Sequence, residues 1–138
     1  MGREIQECIL HHINSHRAVH GKNRLELDYE KCNGAQKDAQ FVLESMLRGD
    51  QFWQCAHKNP WHDGYCHEVT SCGYSNGSFD ATVQNLIWNL LSSNEGHRES
   101  LLDLPRNGKE CNHSHTAAEI AYDSNSGLAV LTIRLYGR

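Results

Sequence analysis

A chain of 138 residues with a formal net charge of −4 is long enough for one domain, residues 1–138, and too short for two of ordinary size. The hydrophobic fraction of 38% and the charged fraction of 22% are those of a globular protein rather than a disordered chain. The acidic balance argues against nucleic acid as the main partner, and no apolar run approaches the roughly 20 residues of a membrane span. The first residues lack the apolar core of a signal peptide, which predicts a mature domain cut from a longer precursor.

The first third of the chain predicts two amphipathic helices. Apolar residues recur at every third or fourth position over residues 4–20, and Gly21 suits the end of that helix. A short link over residues 22–27 follows. Asp28 is predicted to cap the second helix, whose buried stripe falls within residues 35–46.

The rest of the chain predicts an irregular segment, a third helix and a β-hairpin. Glycine, cysteine and histidine are frequent over residues 51–78, which excludes a long helix there. The periodicity predicts a short strand over 66–72, a third helix capped by Ser78 or Asp80 with its apolar face over 83–91, a helical turn over 96–102 and strands over 117–122 and 128–136. Helices followed by strands indicate an α+β fold, a three-layer α-β-α sandwich with a small, mainly antiparallel sheet.

The cysteines predict disulfides. There are six of them, an even number, and no two form a Cys-x-x-Cys pair of the kind that supplies zinc ligands. Disulfides in turn indicate an oxidising compartment. The sequence leaves the pairing open among the six positions, which are Cys8, Cys32, Cys55, Cys66, Cys72 and Cys111.

Three segments together carry a resemblance to a known family. They are Asn14–Gly21 with the spaced leucines after it, Ala35–Ala39, and Gly96–Leu102. Their order and spacing resemble the CAP superfamily (cysteine-rich secretory protein, antigen 5 and pathogenesis-related 1, with an SCP-like extracellular domain), and more closely its bacterial-type branch. The resemblance implies a secreted α-β-α sandwich with a central cleft that holds two His and two Glu residues.

The resemblance places His57 and His97 at the two histidine positions of that cleft. The segment nearest to the family's Gly-Glu-Asn is residues 73–75, and Gln84 stands near the other acidic position. Both cleft Glu residues are therefore expected to be lost. Because a histidine pair without a carboxylate has no general base beside it, we expect a non-catalytic cleft.

Three further side chains are weaker candidates for the lining of the cleft: Tyr74, His62 and His67. His57, His62 and His67 are spaced five apart in the irregular segment, so they could share a zinc ion, with Asp63 or Glu68 completing the site, only if the loop folds them together. The alternative is that they are loop histidines without a ligand role.

The leading functional hypothesis is a secreted, non-enzymatic binding module on a disulfide-stabilised scaffold. Its partner would be a lipid or sterol, as the resemblance implies for some relatives, or a protein surface met by aromatic side chains such as Trp53 and Trp61. One alternative is a metal-dependent hydrolase in which His57 and His97 hold zinc and the ion activates a water. The other is a purely structural domain of a larger extracellular protein. Zinc is the one candidate cofactor.

Overall fold

The protein consists of a four-stranded sheet with helices packed on both faces. The computed structural model describes residues 2–75, 77–93, 95–105, 107–109 and 111–137. In chain order the elements are α1 (Gly2–Val19), β1 (Glu26–Leu27), α2 (Cys32–Leu47), α3 (Phe52–Cys55), β2 (His67–Tyr74), α4 (Phe79–Leu91), α5 (His97–Leu101), β3 (His113–Tyr122) and β4 (Leu128–Gly137). α1 and α4 cover one face and α2 covers the other, which confirms the predicted α+β fold with three layers.

The sheet has the order β1-β3-β4-β2. β4 is antiparallel to both of its neighbours, and only the short β1 pairs in parallel, with β3. Nine of the ten residues of β4 are buried because helices cover both of its faces. Leu131 and Ile133 face α1 and α4, whereas Val130 lies in the cluster beneath α2, as the alternation of side chains along a strand requires. Within the described part of the chain, no helix combines the length and the apolar character that crossing a membrane requires.

Among the boundaries that differ from the sequence predictions are the starts of β3 and α2. β3 begins at His113 rather than at residue 117, because buried hydrogen bonds to Asp103 hold this polar residue inside the fold. α2 begins at Cys32, and Lys31 precedes it without a side-chain cap. Asp28 does not cap the helix; its carboxylate accepts a hydrogen bond from the Lys31 N–H at 3.3 Å, within the turn before the helix.

The predicted disulfides are wrong for this structure, in which all six cysteines are free thiols. Cys8 packs against the cluster beneath α1 and α4, whereas Cys32, the first residue of α2, packs on the other face of the sheet, so the sheet separates them. Cys55 and Cys72 pack in one cluster beneath α2 as small apolar side chains. Burial raises the pKa of Cys32 to about 11, which keeps that thiol protonated and unreactive.

A buried ion pair ties α1 to the loop after α5. The guanidinium of Arg17, which is fully buried, donates to Asp103 at 2.9 Å and to the Leu101 carbonyl at 2.9 Å. The other oxygen of Asp103 bonds to Nδ1 of His113 at 2.5 Å. Burial acts to raise the pKa of Asp103, but the hydrogen bonds from His113 and Arg17 outweigh it and lower the pKa to about 2. The ionised carboxylate therefore holds three separate segments together.

We expect Asp103→Asn to destabilise the protein by about 3–5 kcal/mol at neutral pH, because it leaves the buried Arg17 without its counter-charge. Asparagine tolerates the positive φ of 52° at this position. The loss of stability therefore comes from removal of the negative charge and not from backbone strain. Since the pKa of Asp103 is depressed on folding, its contribution is complete above the unfolded value of about 3.9 and is lost as the pH falls towards 2. In urea denaturation, the difference in the free energy of unfolding between the parent and Asp103→Asn should therefore decrease below about pH 4.

The matched control is Asp50→Asn, a change at an exposed carboxylate. It should alter the free energy of unfolding by less than about 0.5 kcal/mol. If the difference in the free energy of unfolding between the parent and Asp103→Asn did not change with pH, the ionised Asp103 would not be the stabilising group.

Candidate functional site

The two histidines predicted to share a cleft lie close together. The ring centroids of His57 and His97 are 6.4 Å apart, with a tilt of 40° between the planes. His57 follows the one-turn α3 with a positive φ of 62°, a conformation uncommon for a residue other than glycine. His97 is the first residue of α5, directly after Gly96, whose φ is 94°. Two chain reversals therefore bring side chains that are distant in the sequence to one place.

The prediction that no carboxylate accompanies this pair is wrong. Glu68 on β2 bonds to Nδ1 of His57 through Oε1 at 3.0 Å, and its side chain is only 3% exposed. The acidic residue was expected in a Gly-Glu-Asn segment, for which residues 73–75 are the nearest match. The signal that points to Glu68 instead is the alternation of the predicted strand, which puts Glu68 on the same face as Thr70 and Cys72.

Arg134, fully buried on β4, holds Glu68 in place. Its Nε donates to Oε2 of Glu68 at 2.7 Å, and Nη2 donates to the carbonyl oxygen of Trp61 at 2.6 Å. Nη1 lies 3.5 Å from Oδ1 of Asp63, close enough for an ion pair. The guanidinium also lies 4.5 Å from the ring centroid of Tyr65. One cation thereby fixes β2 and the irregular loop that follows α3.

The charges in this network shift two pKa values in opposite directions. The hydrogen bond to Glu68 raises the pKa of His57, against the opposing effect of burial. For Glu68, burial acts to raise the pKa, but the hydrogen bonds from His57 and Arg134 outweigh it and lower the pKa. Both oxygens of this carboxylate are engaged, and it stays ionised. As a result it is a weak proton acceptor.

A second acidic side chain lies deeper, beneath the loop. Asp38 of α2 is fully buried and accepts hydrogen bonds from Thr132 at 2.5 Å, from Thr70 at 3.5 Å and from the Asn59 amide. Burial is the largest influence and raises the pKa of Asp38, and the negative charge of Glu68 adds to that rise. Its role is to anchor α2 to the sheet and to the loop.

Within the described part of the chain, the His57/His97 pair has no third metal ligand. Among the described residues, no group of three His, Cys, Asp or Glu ligand atoms that includes either ring lies within 4.8 Å of one another. His97 lines an open groove of about 370 Å³ beside the outer strand β2, together with Phe52, Thr70 and Leu90. A catalytic zinc requires three protein ligands and one open position.

The three weaker candidates lie elsewhere. His67 alternates with Glu68 along β2, so it points to the other face and contacts Nε2 of His113 at 2.9 Å. His62 stacks on Tyr65 with ring centroids 4.1 Å apart. Tyr74, at the end of β2, is 70% exposed.

The aromatic side chains of the irregular segment divide between surface and interior. Trp53 is 74% exposed and Trp61 is 40% exposed, although Trp61 also meets Phe41 edge to face at 6.1 Å. Tyr65 is half-buried under Arg134. Trp53, Trp61 and Tyr65 therefore do not form one continuous aromatic surface.

An apolar cavity of about 330 Å³ lies on the opposite side of the sheet, between α1, α4 and the β3–β4 hairpin. The side chains of Phe79 and Tyr122 line it and remain 42% and 51% exposed. The hydroxyls of Tyr122 and Ser75, 3.5 Å apart, give the cavity a polar edge. The remaining lining residues are Ile5, Gly77, Ser78, Thr82, Ile120 and Ala129.

Comparison with known proteins finds likeness in structure only. No family model and no curated sequence matches the chain. Three similar solved structures are a cysteine-rich secretory protein from Staphylococcus aureus (TM-score 0.54, 16% identity), an extracellular protein containing an SCP domain from Bacillus anthracis (0.57, 14%) and the CAP domain of enterococcal PrgA (0.60, 16%). The alignments cover 97%, 99% and 98% of this chain, in the same order. This chain spans only 39%, 41% and 61% of the length of those three chains.

The contact between α2 and Arg134 predicts an unusual effect of Gly34→Ala. An alanine for a helical glycine ordinarily stabilises a helix by about 1 kcal/mol. Here a Cβ would lie 2.7 Å from Nη1 of Arg134 and 3.1 Å from Asp63, so we expect destabilisation by about 1–3 kcal/mol in thermal or chemical unfolding. The control Asn33→Ala, at an exposed position in the same turn, should change stability by less than about 0.5 kcal/mol. A Gly34→Ala protein as stable as the parent would contradict this packing.

Removing the charge of Glu68 should lower the pKa of His57. We expect Glu68→Gln to shift the His57 titration measured by NMR to lower pH, because the anion that favours the imidazolium is gone. In the parent, the His57–Glu68 pair stabilises the fold below about pH 6.5, and this contribution is lost as the pH rises through the raised pKa of His57. Glu26→Gln, next to His115 at 3.4 Å, is the control and should leave His57 unchanged. An unshifted His57 resonance in Glu68→Gln would show that the pair does not form in solution.

Proposed function

Because this chain has the fold of the CAP domain, with bacterial relatives in structure, we propose that it is an extracellular, non-enzymatic CAP-like module that binds a single acyl chain. The resemblance seen in the sequence is confirmed at the level of the fold. The extracellular assignment draws on the descriptions of two similar proteins as secreted or extracellular. The free thiols lend it no support, and the apolar core stabilises the fold without disulfides.

The observation that carries the proposal is the cavity between α1, α4 and the β3–β4 hairpin. Binding pockets for small molecules measure about 300–1,000 Å³ and combine apolar walls with a few polar groups. A volume of about 330 Å³ lies at the lower end of that range, which favours one acyl chain over the rigid rings of a sterol. Each methylene group that leaves water for such a cavity contributes about 0.8 kcal/mol. The hydroxyls of Ser75 and Tyr122 suit the polar end of the same ligand.

The zinc hydrolase is the weaker candidate. The hydrogen bond between His57 and Glu68 resembles the carboxylate support that metal-binding histidines commonly have, and this favours a metal. Against it, the described residues bring no third ligand atom to His57 and His97. Glu68 is also engaged at both oxygens, so it is poorly placed to take a proton from water. A purely structural role is the remaining alternative, since the similar proteins are longer chains.

A bulky side chain at the wall of the cavity should block the ligand. We expect the parent protein to bind a dansyl-labelled medium-chain fatty acid, and Ile5→Trp to weaken binding at least tenfold, about 1.4 kcal/mol, in a fluorescence titration. Val19→Trp is the matched control, because it makes a similar change on the same helix at a side chain that is 82% exposed. Its affinity should equal that of the parent. Mass spectrometry should recover the bound fatty acid unaltered.

Three outcomes would overturn parts of the proposal. Equal binding by Ile5→Trp and the parent would remove the cavity as the site. Binding of a fluorescent sterol in place of the fatty acid would keep the cavity and change the ligand. Hydrolysis of an ester-linked version of the probe that is lost in His57→Ala would restore the enzyme hypothesis.

A further inference from the structure

Three side chains of different chemistry converge where α1 meets the start of α4. Cys8 and His12 are one turn apart on α1 and therefore share a face. Asp80 lies in the first turn of α4. Its Oδ1 is 2.7 Å from Nε2 of His12 and 3.5 Å from Sγ of Cys8, and the three ligand atoms lie within 4.8 Å of one another. Among the described residues, no other three potential ligands do so.

These separations match what a tetrahedral zinc ion requires. With Zn–S of about 2.3 Å and Zn–O of about 2.0 Å, the sulfur and oxygen ligands of one ion lie about 3.5 Å apart, which is the spacing of Cys8 and Asp80. For a ring nitrogen and an oxygen the corresponding separation is about 3.3 Å. His12 and Asp80, at 2.7 Å, would need to part by only about 0.6 Å. A rotation of the exposed Asp80 carboxylate supplies that movement.

The surroundings also suit a ligand role. Gln84, one turn further along α4, donates to Oδ2 of Asp80 at 2.9 Å, and such a hydrogen bond orients a ligating carboxylate. The side chain of His12 is 13% exposed and that of Asp80 is 59% exposed. The ring nitrogen is thus held by packing, while a fourth position remains open to water.

We propose that Cys8, His12 and Asp80 bind a zinc ion that links α1 to α4. Sulfur, imidazole nitrogen and carboxylate oxygen in one set favour zinc over calcium or magnesium, which prefer oxygen alone. On binding, the proton of the Cys8 thiol is released to solvent as the Zn–S bond forms. The site is separate from His57 and His97, and its existence does not depend on the acyl-chain proposal.

Cobalt substitution tests the site, because Co²⁺ takes the tetrahedral place of zinc and its absorption reports the ligands. We expect untagged, reduced protein to bind one Co²⁺ with a thiolate charge-transfer band in the near ultraviolet, and Zn²⁺ to abolish that band. Cys8→Ser should remove it. Asp80→Asn, which retains an oxygen, should weaken binding by at least about tenfold.

Two control variants separate this site from other ligands. Cys66→Ser removes an exposed thiol elsewhere, and His57→Ala/His97→Ala removes the cleft pair; both should keep the full band. Circular dichroism and thermal unfolding check that each variant is folded. A parent spectrum without a thiolate band, or a band that persists in Cys8→Ser, would overturn the proposal. Loss of the band in Cys66→Ser would assign the thiolate to a different residue.

Discussion

The buried guanidinium of Arg134 is the group on which the polar side of the molecule depends. It lies on the central strand β4, faces α2 and is fully buried. A buried ion pair adds little net stability, because desolvation offsets most of the attraction, but loss of one partner is costly. What the pair with Glu68 supplies is a fixed arrangement. Glu68 then fixes His57, and the contact with Trp61 fixes the loop between them.

The alternation of side chains along β2 separates two polar systems in one strand. Glu68 points towards Arg134, and its neighbour His67 points to the opposite face, where it meets His113. His113 in turn belongs to the buried network of Asp103. Adjacent residues therefore serve different networks, and a shift of one residue in the pairing of β2 with β4 would exchange them. The two networks constrain the register of the sheet.

Much of the fold was predictable because helices and strands with one apolar face leave a periodic signal. The polar residues that define the site leave none: the pairing of Glu68 with His57 and Arg134 was not predicted, since these partners are 11 and 66 residues away. The predicted strand excluded His113 for the same reason, because the buried carboxylate that admits it to β3 comes from another segment. Asn14, read as part of a family motif, proves structural, bonding both backbone groups of Leu25. Motifs located the cleft, but tertiary contacts decided its chemistry.

The presence of Glu68 removes the original reason for expecting a non-catalytic cleft, and the proposal of a binding module now depends on how Glu68 is engaged. A general base needs a lone pair that points at substrate and a pKa near the working pH. Oε1 of Glu68 is bonded to His57, and Oε2 to Arg134, so both oxygens already have a hydrogen-bond partner. The same bonds lower its pKa and raise that of His57, which stabilises an imidazolium rather than a neutral acceptor. A carboxylate so engaged orders the loop, which supports the proposal that the apolar cavity across the sheet is the ligand site.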